Sequence, residues 1–257
     1  MPRSMPASPG DPRPQAEVPR PTQQHRGITR YAALKAHIAI EPDTGIVTDC
    51  ELTKASGEHS GDAQVGPGLL ADEPEPTVVL GDSAYGSGEA RAELADAGHQ
   101  AVIKPIPLRP AVPDGFTLDD FTINHEAGTV TCPSGATRPI SPSRAVNFKT
   151  ACVGCPLRAQ CTTSSTGRTI KVHEHETLLR AARRQGETPE FQEVYRRHRP
   201  MVERSIAWLT RGNRRVRYRG VAKNDHWLHH RIAALNLRRL LVLGLTRSNG
   251  TWVISTA

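Results

Sequence analysis

The chain has 257 residues, of which 37% are hydrophobic and only 4% aromatic, and its formal net charge is +7. This length is enough for one large domain or two small ones around an aliphatic core. No apolar run reaches membrane-spanning length and no apolar signal core begins the chain, so we expect a soluble, cytoplasmic protein. Five cysteines in that compartment indicate reduced thiols or metal ligands rather than disulfides.

The N-terminal part is predicted to be a disordered tail followed by a β-hairpin. Residues 1–27 contain seven prolines and no apolar periodicity, which is typical of disorder. Residues 34–40 and 46–52 are predicted strands, and the turn between them has Pro42 and Gly45 at favourable positions.

Asp82, at the end of a predicted strand, is the first candidate for chemistry. The β-branched and apolar run from Thr77 to Gly81 predicts this strand, and residues 88–99 and 100–104 then predict a helix and a second strand. In such a β-α-β unit, Asp82 lies where open α/β sheets place their ligands. The alternative is an ordinary helix N-cap.

Four of the five cysteines cluster in residues 106–170, which we expect to be an insertion. Cys152 and Cys155 are separated by two residues, Cys132 precedes them and Cys161 follows them. Four soft ligands with no open position fit a closed, structural Zn²⁺ site, which would stabilise a small insertion. The alternatives are four unconnected thiols or an iron–sulfur cluster.

Helices are predicted for most of the remainder. His173 and His175, at the start of the first of them, are spare metal-ligand candidates, although the start of a surface helix explains them as well. Cys50 is expected in the core. Pro200 is expected as a kink or a first-turn residue between two helices. The predicted helices are residues 174–184, 190–199, 201–211 and 225–245. Helical spacing predicts a core stripe of Leu228, Ile232, Leu235 and Val242.

The positive charge is concentrated at the C-terminal end. From Tyr195 onward there are fourteen Lys and Arg against two acids, a net charge of +12 that leaves −5 for the rest. This asymmetry favours a nucleic-acid-binding face over an ordinary solvated surface. One of the two acids, Glu203, shares a helical face with Arg199, either as a site carboxylate or as a surface ion pair.

Several motifs in order give the chain a resemblance to a known family. Lys35–His37, Gly81–Gly86, the cysteine-bearing insertion, Tyr195 to Glu203 and Arg214–Gly220 together resemble the DDE transposases of bacterial insertion sequences. Within them, the chain looks most like the branch with cysteines between the second and third acids. The resemblance covers roughly residues 28–247.

The resemblance implies an α/β fold, with an RNase H-like mixed sheet and helices interrupted by a small, zinc-ribbon-like insertion. The implied divisions are a tail at 1–27, the first part of the core at 28–105, the insertion at 106–170, a helical part of the core at 171–247 and a tail at 248–257.

The resemblance also implies roles for individual residues. Asp82 matches the second catalytic acid and Glu203 the third, and together they would hold Mg²⁺ or Mn²⁺. The implied partner is double-stranded DNA, both at the transposon ends and at the target. The implied location is the nucleoid, and a homodimer is a possible assembly. The expected DNA-contacting residues are Tyr195, Arg199, Arg211, Arg214, Arg215, Arg217 and Arg219.

The chain departs from the family pattern in three places. Tyr195 is one residue further from Arg199 than usual, and Thr210 or Arg211 stands where a lysine is expected after Glu203. The first catalytic acid and its central strand are not found, because only the proline-rich tail precedes residue 28. We therefore expect a truncated, inactive transposase; the alternative is a non-catalytic, zinc-containing DNA-binding protein.

Overall fold

The computed structural model describes residues 24–25, 28–29, 33–57, 60–212 and 215–254. They divide into two compact units: residues 61–203, and the chain up to Ser60 together with the chain from Arg204 onward. The helices are α1 Asp62–Val65, α2 Gly88–Asp96, α3 Arg158–Cys161, α4 Glu176–Gly186, α5 Pro189–Thr210 and α6 Val221–Val242. The strands are β1 Gln24–His25, β2 Ile28–Thr29, β3 Leu34–Glu41, β4 Ile46–Lys54, β5 Val78–Gly81, β6 Gln100–Ile103, β7 Thr122–Asn124, β8 Thr129–Thr131, β9 Thr137–Pro139, β10 Ala145–Asn147, β11 Thr169–Lys171, β12 Leu245–Ser248 and β13 Thr251–Ile254.

The predicted N-terminal hairpin is confirmed as β3 and β4, which pair antiparallel. The Glu41 side chain accepts the backbone N–H groups of Asp43 and Thr44 in the turn. Gly45 closes the turn at φ 72°, a left-handed conformation that glycine adopts without strain. Most of the predicted tail, residues 1–23, lies outside the described residues.

Helix α6 supplies hydrogen bonds to strand β4. The Asn236 side chain bonds both the N–H and the C=O of Val47, at 3.0 and 2.8 Å, and Asp225 accepts the N–H of Leu52 at 2.9 Å. These side chains satisfy backbone groups that would otherwise need water or another strand. The core beneath them consists of Val47, Cys50, Leu209, Leu228 and Ile232.

Cys50 is a core residue, as predicted. Burial, with the nearby charges of Asp49 and Asp225, raises the pKa of its thiol to about 12. A thiol with this pKa stays protonated near neutral pH and is therefore unreactive.

The predicted β-α-β unit is confirmed in the unit formed by residues 61–203. Strands β5 and β6 are parallel, with Val78 opposite Gln100 and Gly81 opposite Ile103, and α2 lies between them in sequence. Helix α4 packs against α2. Asp82 follows β5 directly, so the carboxyl end of this strand carries an acid, as the sequence pattern predicts.

The cysteine segment, which we define as residues 116–172, has its own core. It contains a three-stranded sheet, β7-β8-β9, and the pair β10-β11. Each of these five strands is three residues long. The core residues are Phe121, Val130, Val146, Phe148, Cys152, Cys161, Ile170 and Val172.

The described residues form no single RNase H-like mixed sheet. Strand β3 pairs with β4 in one two-stranded sheet, and β5 pairs with β6 in another. What the structure supports is therefore a mixed α/β fold with small sheets.

Three helical expectations need correction. Residues 189–210 form one continuous helix, α5, with Pro200 inside it, rather than two helices. Helix α6 ends at Val242, whose side chain is 68% exposed, so this residue is not part of the core stripe. The end of the predicted helix and the predicted tail instead form the hairpin β12–β13. Within the described ranges, no helix combines the length and apolar character needed to cross a bilayer.

Candidate active site and nucleic-acid interface

Asp82 caps a turn at the carboxyl end of β5. Its Oδ1 atom accepts the backbone N–H of Ala84 at 2.8 Å, at the start of a single 3₁₀ turn formed by Ser83–Tyr85. The side chain is exposed. Asp82 therefore fulfils the capping role considered as an alternative, and its exposed carboxylate keeps acceptor capacity for another ligand.

The glycines around Asp82 are required by close packing. A Cβ atom on Gly81 would lie 3.3 Å from both Ile103 and Tyr85, and one on Gly86 would lie 3.1 Å from Arg91. Burial, with the charges of Asp62 and Asp82, raises the pKa of the Tyr85 phenol, which therefore stays protonated at neutral pH. The turn is thus closely packed around its glycines, whereas the Asp82 side chain is exposed to solvent.

Arg91 holds this turn from inside. It is buried, and it donates to the carbonyl oxygens of Gly86 at 3.3 Å and Ile103 at 2.8 Å. Burial lowers the pKa of its guanidinium. Sequence analysis did not identify Arg91, because an arginine in an Ala- and Glu-rich helix is expected on the surface.

The first turn of α2 carries a second contact that sequence analysis did not predict. His173 Nε2 lies 3.1 Å from Glu89 Oε1, and the N–H of His175 donates to His173 Nδ1 at 3.1 Å. A backbone N–H at this helix start and the Ser87 hydroxyl, together with the two histidines, outweigh burial and lower the pKa of Glu89. Neither histidine lines the cysteine cavity.

Tyr195, Arg199 and Glu203 form a continuous row on one face of α5. Arg199 Nε donates to Glu203 Oε1 at 2.7 Å, and Arg199 Nη1 donates to the Tyr195 hydroxyl. The hydrogen bond to Glu203 is the main cause of the raised pKa of Arg199. Glu203 and Arg199 are 62% and 48% exposed, so the carboxylate is accessible from solvent. The predicted shared face of Glu203 and Arg199 is observed, and their contact is the surface ion pair considered as the alternative to a site carboxylate.

Asp82 and Glu203 both belong to the unit formed by residues 61–203, and each makes its own local hydrogen bond. In the part of the chain that the structure describes, no three His, Cys, Asp or Glu side chains form a group that could hold a metal ion. The convergence of these two acids on a shared ion stays a prediction.

The four clustered cysteines, Cys132, Cys152, Cys155 and Cys161, line one small cavity. Burial raises the pKa of the Cys161 thiol; the charge of Arg168 opposes this, and the other three cysteines reinforce it. The backbone N–H of Arg168 also donates to Cys152 Sγ at 3.4 Å. The predicted grouping of the cysteines in space is thus observed, although their sulfurs do not form a ready-made ligand set.

The arginine-rich segment between α5 and α6 is exposed wherever it is described. Arg217 lies over the ring of Trp227 at 5.6 Å, and Arg231 lies over the same ring at 5.7 Å. Arg211 accepts a hydrogen bond from Arg231 through its backbone carbonyl. Arg214, a predicted DNA contact, lies outside the described residues. The exposed arginines here are Arg211, Arg215, Arg217 and Arg219.

Residues 131–241 match the family model described as a transposase DDE domain. The matched residues include all four clustered cysteines and the row from Tyr195 to Glu203, whereas Asp82 precedes them. No curated protein and no solved structure matches the chain.

Proposed function

We propose that the chain is a DDE transposase and that it derives from an enzyme that cleaves and transfers DNA strands at the ends of an insertion sequence. The observation that carries this proposal is the match across the segment in which Glu203, Arg199 and Tyr195 share one face of α5. The match favours this function over that of a non-catalytic DNA-binding protein. A cytoplasmic, nucleoid-associated location would follow from it.

The two acids fit the chemistry of a divalent-metal site. Mg²⁺ and Mn²⁺ prefer carboxylate oxygens, and both Asp82 and Glu203 present exposed carboxylates. Two such ions, when bound, activate the attacking oxygen and stabilise the leaving oxygen of a phosphodiester. We propose that the two carboxylates approach within about 10 Å, as a shared metal pair requires.

Arg199 has a defined part in this proposal. Its guanidinium now donates to Glu203, at an exposed position where ion pairs contribute little stability. When Glu203 binds a cation, the guanidinium can turn to a DNA phosphate, which accepts the same donors. Tyr195 would keep the side chain oriented through its hydroxyl.

We further propose that Asp82 and Glu203 by themselves bind Mg²⁺ weakly, because no third carboxylate joins them among the described residues. In the same part of the chain, β3 pairs only with β4 and β5 pairs only with β6, so each pair leaves a strand edge without a backbone partner. In the family, the strand that carries the first acid lies at the centre of the sheet.

Adding a strand that carries a third carboxylate tests both parts of the proposal. A chimera that carries, in cis, the family's first-acid strand and its Asp should gain Mg²⁺-dependent cleavage of transposon-end DNA. Asp82→Asn and Glu203→Gln should then abolish cleavage without unfolding the protein. Glu193→Gln is the matched control, because Glu193 forms a similar exposed ion pair with Arg196 on the same helix.

The outcomes separate the two parts. Cleavage by the unmodified chain would contradict weak metal binding by two acids but leave the enzyme class intact. A chimera that folds, binds DNA and still fails to cleave would contradict the assignment of Asp82 and Glu203. Equal activity of Glu203→Gln and Glu193→Gln would do the same.

For the cysteine cavity we propose a structural Zn²⁺ site. Four thiolates repel one another, as the effect of three cysteines on the pKa of Cys161 illustrates, and a divalent cation would reverse this repulsion. Arg168, beside the cavity, would offset the remaining negative charge. Elemental analysis should find about one zinc per chain. Cys155→Ser should lose the zinc and Cys50→Ser should retain it; protein without zinc would contradict the proposal.

For DNA binding we propose the exposed arginines between α5 and α6. Each phosphate contact contributes about 0.9 to the salt dependence of affinity, so alanine at Arg215, Arg217 and Arg219 should lower the slope by up to about 3. The corresponding triple lysine variant keeps the charge and should retain the slope. An unchanged slope in the alanine variant would place the DNA-binding face elsewhere.

A further inference from the structure

Helix α6 carries a pair of histidines that none of the proposals above uses. His226 and His230 are one helical turn apart, and both are exposed. Their Nε2 atoms lie 3.0 Å from each other, and their rings meet edge to face with centroids 4.4 Å apart. The two nitrogens that bind metals most readily therefore point at the same place.

This distance has two chemical explanations. One imidazole can donate its N–H to the other, since 3.0 Å is an ordinary hydrogen-bond length. Alternatively, both nitrogens can donate their lone pairs to one cation. Metal–nitrogen bonds of about 2.0–2.1 Å, at angles between about 90° and 110°, separate two ligand nitrogens by about 2.8–3.4 Å. The observed separation lies within that interval, so an ion could bind with little movement of either ring.

The helix beneath the pair is firmly held. Asn224 is buried and donates to the carbonyl oxygens of Tyr218 and Gly220 at 2.7 Å, which fixes the start of α6. Leu228 and Ile232, on another face of the helix, are buried in the core. The pair is thus presented by a rigid element, and a rigid element loses less conformational entropy when a ligand binds.

His229 lies between the two histidines in sequence but makes different contacts. Its Nδ1 atom lies 3.0 Å from the carbonyl oxygen of Asp225 and 3.6 Å from the Asp225 carboxylate. It therefore offers an internal control of the same residue type on the same exposed stretch of helix.

We propose that His226 and His230 form a two-imidazole chelate for a late first-row divalent cation such as Ni²⁺, Cu²⁺ or Zn²⁺. Imidazole suits these ions and not Mg²⁺, so this site differs in chemistry from the acid pair. No third His, Cys, Asp or Glu joins the pair among the described residues, which leaves the other coordination positions to water or to an incoming ligand. The proposal does not depend on the transposase function.

The test uses the full chain without an affinity tag. The protein is loaded with one equivalent of zinc so that the cysteines are occupied, dialysed to remove weakly bound zinc from the histidine pair, and titrated with Ni²⁺. Wild type and His229→Ala should bind one Ni²⁺ with equal affinity. His226→Ala and His230→Ala should each bind at least about tenfold more weakly, because removing a ligand costs no less than removing a supporting residue. Ni²⁺ should also raise the melting temperature of the first two proteins more than that of the others, since an ion that binds the native state stabilises it.

Two results would overturn the proposal. Equal Ni²⁺ affinity in His226→Ala and wild type would place the ion elsewhere in the chain. Equal weakening by His229→Ala and His226→Ala would show nonspecific binding to the histidine-rich surface. Circular dichroism of the four proteins without Ni²⁺ ensures that lost binding does not reflect lost helix.

Discussion

The two acids that we propose for the active site are held in opposite ways. Asp82 lies on a turn whose main chain is packed against Ile103 and held by buried Arg91, and its carboxylate bonds a backbone N–H. Glu203 lies on an exposed helix face, where its carboxylate pairs with Arg199 of the same helix. The comparison teaches that packing of the backbone determines the position of Asp82, whereas the position of the Glu203 carboxylate depends on the mobile guanidinium of Arg199.

Arg91→Ala should have the largest effect on stability. It leaves the buried carbonyl oxygens of Gly86 and Ile103 without their donors and opens a cavity, at a cost of about 3 kcal/mol in the free energy of unfolding. Urea unfolding of the full chain measures the cost. The control is Arg184→Ala, at an exposed helical arginine, which should change stability by less than about 1 kcal/mol. Equal costs would mean that Arg91 does not support the turn.

Gly81→Ala should come next. The added methyl group would lie 3.3 Å from Ile103 and Tyr85, and overpacking of this kind costs about 1–3 kcal/mol. The matched control is Gly68→Ala, where nothing lies within 4 Å of the new Cβ atom and no loss is expected. The melting temperatures of both variants measure the effect. An unchanged melting temperature in Gly81→Ala would indicate that the turn can shift to accommodate the methyl group.

Asp82→Ala should have a smaller effect, because it removes one capping hydrogen bond worth about 1 kcal/mol. Asp82→Asn retains an acceptor for the Ala84 N–H and should be as stable as wild type, which makes it the variant of choice for activity measurements. If Asp82→Ala proved more stable than wild type, the acid would be a cost to the fold, as is expected of residues kept for function.

Glu203→Gln should have the smallest effect. An exposed ion pair one turn apart on a helix contributes about 0.5 kcal/mol or less, and its contribution is screened by salt. Unfolding measured at low and high salt should give nearly identical values for the variant and the wild type. A loss of more than about 1 kcal/mol would mean that Glu203 is a structural residue, and it would weaken the contrast with Asp82.

Much of the local structure could be predicted from the sequence. The hairpin β3–β4, the β-α-β unit around Asp82 and the exposure of the arginine-rich segment follow from alternating or helical patterns and from charge. The continuity of α5 through Pro200 could not, because neighbouring helical turns can compensate for one missing N–H donor. The exposure of Val242 was also hidden, since a periodic apolar pattern marks a face of a helix and does not say what covers it.

The sequence by itself determined which residue types stand at the ends of strands and along helix faces, and where the positive charge lies. Those features depend on contacts between residues close together in the chain. Only the tertiary structure decided that Arg91 would be buried beneath the Asp82 turn and that Asn236 would bond Val47 across 189 positions. Such contacts depend on which buried polar groups need hydrogen-bond partners once the chain has packed. The local sequence pattern does not indicate which groups these are.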